Sequence, residues 1–208
     1  MQSLEQALSS CPLVAILRGV QPAEAVAIGE ALVDVGFRVI EVPLNSPEPF
    51  DSIARLAAAL GTRALVGAGT VLEVDQVARI AQAGGRLIVM PHTDVEVIRA
   101  AKRSGLYALP GFATPSEAFA ALNAGADALK LFPAEANPPA ALKAMRAVLP
   151  KAVKVLPVGS ITPDNMAMYL AAGADGFGLG SALYKPGSDT AQIKAAAQRF
   201  IAALDAAR

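Results

Sequence analysis

Lys130 lies in Asp127-Ala128-Leu129-Lys130-Leu131-Phe132-Pro133, a short run that is otherwise almost wholly apolar. A strand covered on both faces reads as continuous hydrophobic residues, and an ammonium placed in it must find a partner or shed its proton. Shedding the proton leaves a nucleophile. A neutral amine at the mouth of a hydrophobic pocket attacks a ketone and forms a Schiff base. A lysine at a strand end that snorkels to solvent gives the same local pattern.

Two more charges end comparable apolar runs, Arg18 in Leu17-Arg18-Gly19 and Glu41 in Ile40-Glu41-Val42-Pro43. Side chains alternate along a strand, so Val14, Ile16 and Arg18 share a face, as do Val39 with Glu41 and Ala128 with Lys130. Glu41 reads either as a buried counter-ion or as a carboxyl that shuttles protons during imine chemistry. Arg18 suits a substrate carboxylate, which its guanidinium can grip through paired hydrogen bonds, or a structural salt bridge. Val158-Gly159-Ser160 and Leu179-Gly180-Ser181 repeat a glycine-serine pair after an apolar run. Each is either a plain turn or half of a phosphate site, where glycine lets the backbone approach an anion. Thr162-Pro163-Asp164 offers a cap to the next helix. Thr70, Pro91 and Thr114 fall in loops at the same ends and serve equally as turn or cap residues. His92, beside Pro91, reads as a solvent-facing loop histidine or, less simply, as a ligand contact.

Positioning these residues on one face requires parallel strands. Apolar runs at Leu13–Leu17, Arg38–Val42, Ala64–Val66, Leu87–Met90, Leu106–Leu109, Ala128–Phe132, Val153–Val158 and Gly176–Leu179 predict eight strands. Between them lie alanine- and leucine-rich segments with helical spacing, such as Ala23–Val35, Pro49–Leu60 and Pro115–Ala124. Glycines end several helices, at Gly36, Gly84, Gly105, Gly125 and Gly173, and Ala124-Gly125-Ala126-Asp127 is echoed by Ala172-Gly173-Ala174-Asp175. Eight units of roughly 20 to 26 residues predict an α/β fold, a single (β/α)8 TIM barrel over residues 1–208, rather than an open doubly wound sheet. A short helix at Ser3–Ser9 would cap its floor, and Thr190–Ala207 would be its eighth helix.

The 208 residues are 54% hydrophobic, enough for a large core, with a formal net charge of zero and no basic block of the kind that binds nucleic acid. One cysteine, Cys11, excludes an intrachain disulfide, and one histidine, His92, rules out a histidine-rich metal site. Met1 to Leu8 shows no secretory pattern, so a cytoplasmic enzyme without membrane attachment is expected.

Taken together, Ala15-Ile16-Leu17-Arg18-Gly19, Glu41-Val42-Pro43-Leu44-Asn45-Ser46-Pro47, Gly67-Ala68-Gly69-Thr70 and Leu129-Lys130-Leu131-Phe132-Pro133 resemble the family of 2-keto-3-deoxy-6-phosphogluconate and phosphogalactonate aldolases, in the same order along nearly the whole chain. The resemblance implies a homotrimeric class I aldolase with no cofactor and no catalytic metal. Lys130 would form the Schiff base and Glu41 transfer protons, with Arg18 and Thr70 near the pyruvyl end and Gly159, Gly180 and Ser181 near phosphate. Pro91 and Ser160 join the implied substrate contacts. Asn45-Ser46 and Val158 stand where phosphogluconate enzymes usually carry an arginine-threonine pair and a threonine. Both resemble the phosphogalactonate branch, whose substrate yields pyruvate and glyceraldehyde 3-phosphate. Ser160 departs from the usual second glycine and narrows the freedom of that loop. A phosphosugar isomerase or epimerase with Glu41 as base, or a non-catalytic phosphosugar binder, fits the same barrel.

Overall fold

Ser3 opens the first helix of the computed structural model, which describes residues 3–207; Met1, Gln2 and Arg208, at the ends of the expected domain, lie outside the described residues. The Ser3 hydroxyl accepts from Gln6 N at 3.1 Å, and the Gln6 side chain accepts in return from Ser3 N at 2.9 Å. This reciprocal cap satisfies two otherwise orphaned amides and starts α1 (Leu4–Ser10), one residue later than expected at each end.

Strand and helix then alternate as the spacing predicts, except that two strands follow one another at β5 and β6: β1 (Leu13–Ile16), α2 (Pro22–Val35), β2 (Val39–Pro43), α3 (Pro49–Leu60), β3 (Leu65–Gly69), α4 (Val74–Gln82), β4 (Leu87–Val89), α5 (Val95–Arg103), β5 (Tyr107–Leu109), β6 (Gly111–Phe112), α6 (Pro115–Asn123) and β7 (Leu129–Leu131). After a single 3-10 turn (Ala134–Ala136) come α7 (Pro139–Arg146), β8 (Val155–Pro157), α8 (Met166–Ala171), β9 (Phe177–Leu179) and α9 (Thr190–Ala206).

The strands do not form the expected eight-stranded closed TIM barrel. Backbone pairing draws two parallel sheets, one of six strands in the order β5-β4-β3-β2-β1-β9 and one of three in the order β6-β7-β8, so the fold is an open, curled α/β arrangement. Pro110 is one reason. It has no amide hydrogen, and it stands between β5, which falls in the fifth apolar run, and the two-residue β6 beyond that run; the two strands belong to different sheets. At this seam single bonds replace a ladder: Asp127 N donates to Ala108 O at 3.0 Å and Lys130 N to Pro110 O at 2.9 Å. At the other seam the isolated pair Val158 and Gly178 bridges the sheets, with Asp175 bonded to Val155 beside it.

Alternation along the strands sorts two apolar layers. Leu13, Ala15, Ile40, Val42, Val66 and Ile88 pack with the helices, whereas Val14, Val39, Leu65, Leu87, Leu109 and Leu156 point to the concave side and pack with Leu4, Ala7 and Leu8 of α1. Helix α1 therefore closes the amino ends of the strands. Each of Leu4 and Leu8, buried in that plug, stabilises the fold by about 1.5–3 kcal/mol.

The repeated Ala-Gly-Ala-Asp segments fix register. Gly125 and Gly173 turn the chain out of their helices at φ 98° and 99°, a region open to glycine. Each following aspartate then clasps the preceding strand with both backbone and side chain. Asp127 Oδ2 accepts from Ala108 N at 2.8 Å. Asp175 N donates to Val155 O at 2.9 Å, and Asp175 Oδ2 accepts from Val155 N at 2.9 Å. Lys102 neutralises Asp127 at 2.6 Å, and Lys154 lies 3.3 Å from Asp175. Asp175→Ala leaves the Val155 amide without its acceptor beside a buried strand. It is expected to cost about 1–3 kcal/mol in urea unfolding, with the midpoint lowered and the slope unchanged; an unchanged midpoint would contradict the clasp.

Candidate active site

Lys130 is the middle residue of β7 and only 7% exposed, while Glu41, the middle residue of β2, is 2% exposed. Both project to the concave side, into a small pocket also lined by Val14, Ile16, Val89, Leu109, Leu156, Val158 and Gly178. The surroundings favour the uncharged form of each. Burial pushes the Lys130 ammonium below the ordinary lysine range, helped by the positive charge of Arg18 and opposed by Glu41. Burial likewise pushes the Glu41 carboxyl up to about 7, against the pull of Lys130 and Arg18. Glu41 Oε2 is buried with no hydrogen-bond partner, so its proton is not committed to a structural bond.

Two neighbours shape this pair. The Lys130 Nζ stands 4.6 Å from the centroid of the Phe132 ring. Gly69 at the end of β3 leaves room for the Glu41 carboxyl, since a methyl group there would overlap Glu41 Cδ and Oε2. The role of Gly69 is thus to be absent as a side chain.

Beyond the strand ends this pocket opens into a cleft of about 350 Å³, with Ile16, Val158 and Gly178 shared between them. Arg18, Phe132, Gly159, Ser160, Gly180 and Ser181 line the cleft. The two glycine-serine pairs, 21 residues apart in sequence, therefore face one space with Arg18. Arg18 is exposed and donates through Nη1 to Asn45 Oδ1 at 2.9 Å; Ser46 Oγ accepts from Gly19 N at 2.9 Å and ties the same loop. The second pair opens a turn in which Leu183 N and Tyr184 N both donate to Gly180 O, at 2.9 and 3.0 Å.

Other expected positions fall outside these linings. Thr70 follows Gly69 at φ 54°, and Pro91 follows β4 with its backbone against Gly111; both lie at the same end of the strands but in the wall of neither pocket nor cleft. Thr114 is a helix cap, its hydroxyl donating to Glu117 Oε2 at 2.7 Å in a reciprocal cap of α6. His92 is exposed and Cys11 buried. The expected cap at Thr162 is displaced, because α8 starts at Met166 with Asn165 as its flanking residue. Phe132 and Asn165 carry signals that sequence reasoning passed over: one lies two residues from Lys130 on the same strand face, the other three from Thr162 at turn spacing.

A larger cavity, about 410 Å³, lies under α1 at the amino ends, but its Asp127 and Lys154 are already engaged in ion pairs. Among the described residues no three His, Cys, Asp or Glu side chains gather as a metal site, and no helix is long and apolar enough to cross a membrane.

A buried amine pushed toward its uncharged form, in one pocket with a carboxyl that titrates near neutrality and beneath a cleft rich in backbone donors, suits enzymes that hold a carbonyl compound as an imine. The model of the family described as KDPG and KHG aldolase matches residues 4–196. A 2-dehydro-3-deoxy-6-phosphogalactonate aldolase of Escherichia coli (strain K12) is 48% identical over 192 residues, 92% of this chain and 94% of that protein. A probable enzyme of the same name from Rhizobium meliloti (strain 1021) is 47% identical over 195 residues, 94% of this chain and 92% of its own. A solved structure described as native KDPGal superposes with a TM-score of 0.93 at 47% identity, covering 94% of this chain and 95% of that one. The chain belongs to the KDPG and KHG aldolase family, and it is an aldolase, a carbon–carbon lyase.

The raised Glu41 value has a consequence for stability. Its folded value of about 7 stands above the ordinary 4.5, so the folded state holds the proton more tightly than the unfolded chain. That contribution is complete below pH 4.5 and is lost as pH rises through 7. Glu41→Gln is uncharged throughout. It is expected to gain on the parent across that window, by up to about 3 kcal/mol at the alkaline end, in thermal unfolding followed as a function of pH. Parallel profiles would contradict a desolvated carboxyl.

Proposed function

We propose that the chain is a Schiff-base aldolase that reversibly cleaves 2-dehydro-3-deoxy-6-phosphogalactonate to pyruvate and D-glyceraldehyde 3-phosphate. The observation that carries the mechanism is Lys130, desolvated and lining one pocket with Glu41, whose Oε2 has no hydrogen-bond partner. The substrate rests on the names of the two relatives that are nearly half identical over more than nine-tenths of the chain.

In the cleavage direction neutral Lys130 adds to the carbon 2 ketone. Glu41 supplies a proton to the departing hydroxyl, water leaves, and a protonated imine remains. The carbon 4 hydroxyl loses its proton and the bond between carbons 3 and 4 breaks. Its electron pair passes to the iminium, and carbon 4 departs as the aldehyde. Protonation of the enamine at carbon 3 and return of water to the imine release pyruvate and restore Lys130. A carboxyl that titrates near 7 can give and take these protons in turn. The iminium is the electron sink, so this route calls for no metal and no cofactor.

Arg18 is assigned to the carboxylate, beside Thr70 and Pro91. The backbone and hydroxyls of Gly159-Ser160 and Gly180-Ser181 are assigned to phosphate at the open end of the cleft. Val158, at the junction of pocket and cleft, is assigned to the neighbourhood of carbon 4, where it offers no hydroxyl. The working enzyme is further proposed to be a cytoplasmic homotrimer, the state implied by the family resemblance.

The test is turnover of the two carbon 4 epimers. Lys130→Ala is expected to remove cleavage while the protein keeps its unfolding free energy within about 2 kcal/mol of the parent. The parent is expected to prefer the phosphogalactonate epimer, and Val158→Thr to narrow that preference about tenfold in kcat/KM. Normal turnover by Lys130→Ala would overturn the mechanism; a parent preference for the phosphogluconate epimer would overturn the substrate.

A further inference from the structure

The first glycine-serine loop contains a conformational problem of its own. Gly159 stands at φ 110° and Ser160 at φ 51°, two consecutive residues in the left-handed region. Glycine adopts that region freely, but in serine it brings Cβ against the backbone, so Ser160 needs external support. On one side Glu135 lies over Gly159, where a methyl group would overlap Glu135 Oε2. On the other side stands Asn165.

An asparagine flanking a helix normally turns its oxygen forward, to the second or third amide of that helix. Asn165 makes no such cap on α8. Its side chain reaches backward instead: Nδ2 donates to Ser160 O at 2.9 Å and Oδ1 accepts from Thr162 N at 3.0 Å. The Asn165 backbone N also donates to Thr162 O at 3.2 Å. The carbonyl of the left-handed serine and both backbone groups of Thr162 are thus fastened to one residue. Ser160, Ile161 and Thr162 all line the cleft.

We infer that Asn165 is a positioning residue for the anion-binding loop, bridging Ser160 O and Thr162 N so that Ser160 keeps the left-handed shape it would not hold alone. The inference rests on the assignment of this cleft to the substrate phosphate and adds to it the residue that makes serine workable at position 160. Asn165 does not touch the reacting carbons; it acts through the loop.

The coupling of Asn165 to Ser160 is directly testable, because glycine at position 160 takes a positive φ unaided. Asn165→Ala is expected to raise the KM for the phosphorylated substrate, and the Kd for glycerol 3-phosphate by calorimetry, about tenfold with little change in kcat. In the Ser160→Gly background the same substitution is expected to change either constant less than about twofold. Reduction of the pyruvate imine at Lys130 by borohydride, which involves no phosphate, is expected to proceed at the parent rate in Asn165→Ala. If Asn165→Ala fails to fold, Asn165→Asp keeps the acceptor for Thr162 N, loses the donor to Ser160 O, and is read for the same contrast. Equal effects in the two backgrounds, or a lowered unfolding temperature with KM and Kd unmoved, would overturn the inference. A parent protein that binds glycerol 3-phosphate but never reacts with pyruvate would instead overturn the aldolase reading and leave the loop contrast measurable.

Discussion

Two ionisable side chains in an apolar interior set the terms for this fold. A buried ammonium or carboxylate is costly in a low-dielectric interior unless it is paired, hydrogen-bonded or discharged. Lys130 and Glu41 are both buried, and the surroundings press each toward its neutral form. Such a pair is poor material for stability, since apolar residues of similar size would pack as well or better. In the proposed reaction its value is chemical, because the environment that makes it costly also presses the amine toward its nucleophilic form and leaves a carboxyl poised to exchange a proton near neutrality.

The scaffold follows from that requirement. Short parallel strands present alternate side chains to a concave face, and on that face small residues make room for larger ones. Gly69 accommodates the Glu41 carboxyl, and Gly178 faces Val158 and Ile16 closely enough that a methyl group would press on both. At the amino end α1 fills the concavity with Leu4, Ala7 and Leu8, which leaves the carboxyl ends as the way in. The two aspartates of the repeated segment hold neighbouring strands in register by clasping backbone amides. Rigidity at the floor and donors at the mouth are thus assigned to opposite ends of the same strands.

What could be read in the sequence, and what could not, follows local chemistry. Lys130, Glu41 and the paired glycine-serine loops stood out because each breaks the rule of its surroundings, and the alternation of strand and helix came from apolar spacing alone. The closed eight-stranded barrel did not survive. The fifth apolar run ends just before Pro110, but its hydropathy gives no hint that a further short strand, β6, follows in a second sheet joined to the first by single bonds. The shift of α8 to Met166 had a similar origin: Thr162-Pro163 looks like a helix start, but Asn165 ties this segment into the loop before it. Long-range packing stayed out of reach. Nothing near Gly69 in sequence reveals that Glu41 will occupy the place of its side chain, and nothing near Arg18 reveals that Asn45 will hold it.

The central claim is that burial makes Lys130 a neutral nucleophile, and its most direct test is chemical trapping. Incubation of the folded protein with pyruvate and borohydride, followed by peptide mass spectrometry, is expected to place a reduced pyruvyl adduct on the peptide that carries Lys130. Folded protein with no adduct, or with an adduct on a surface lysine such as Lys154 alone, would contradict the account.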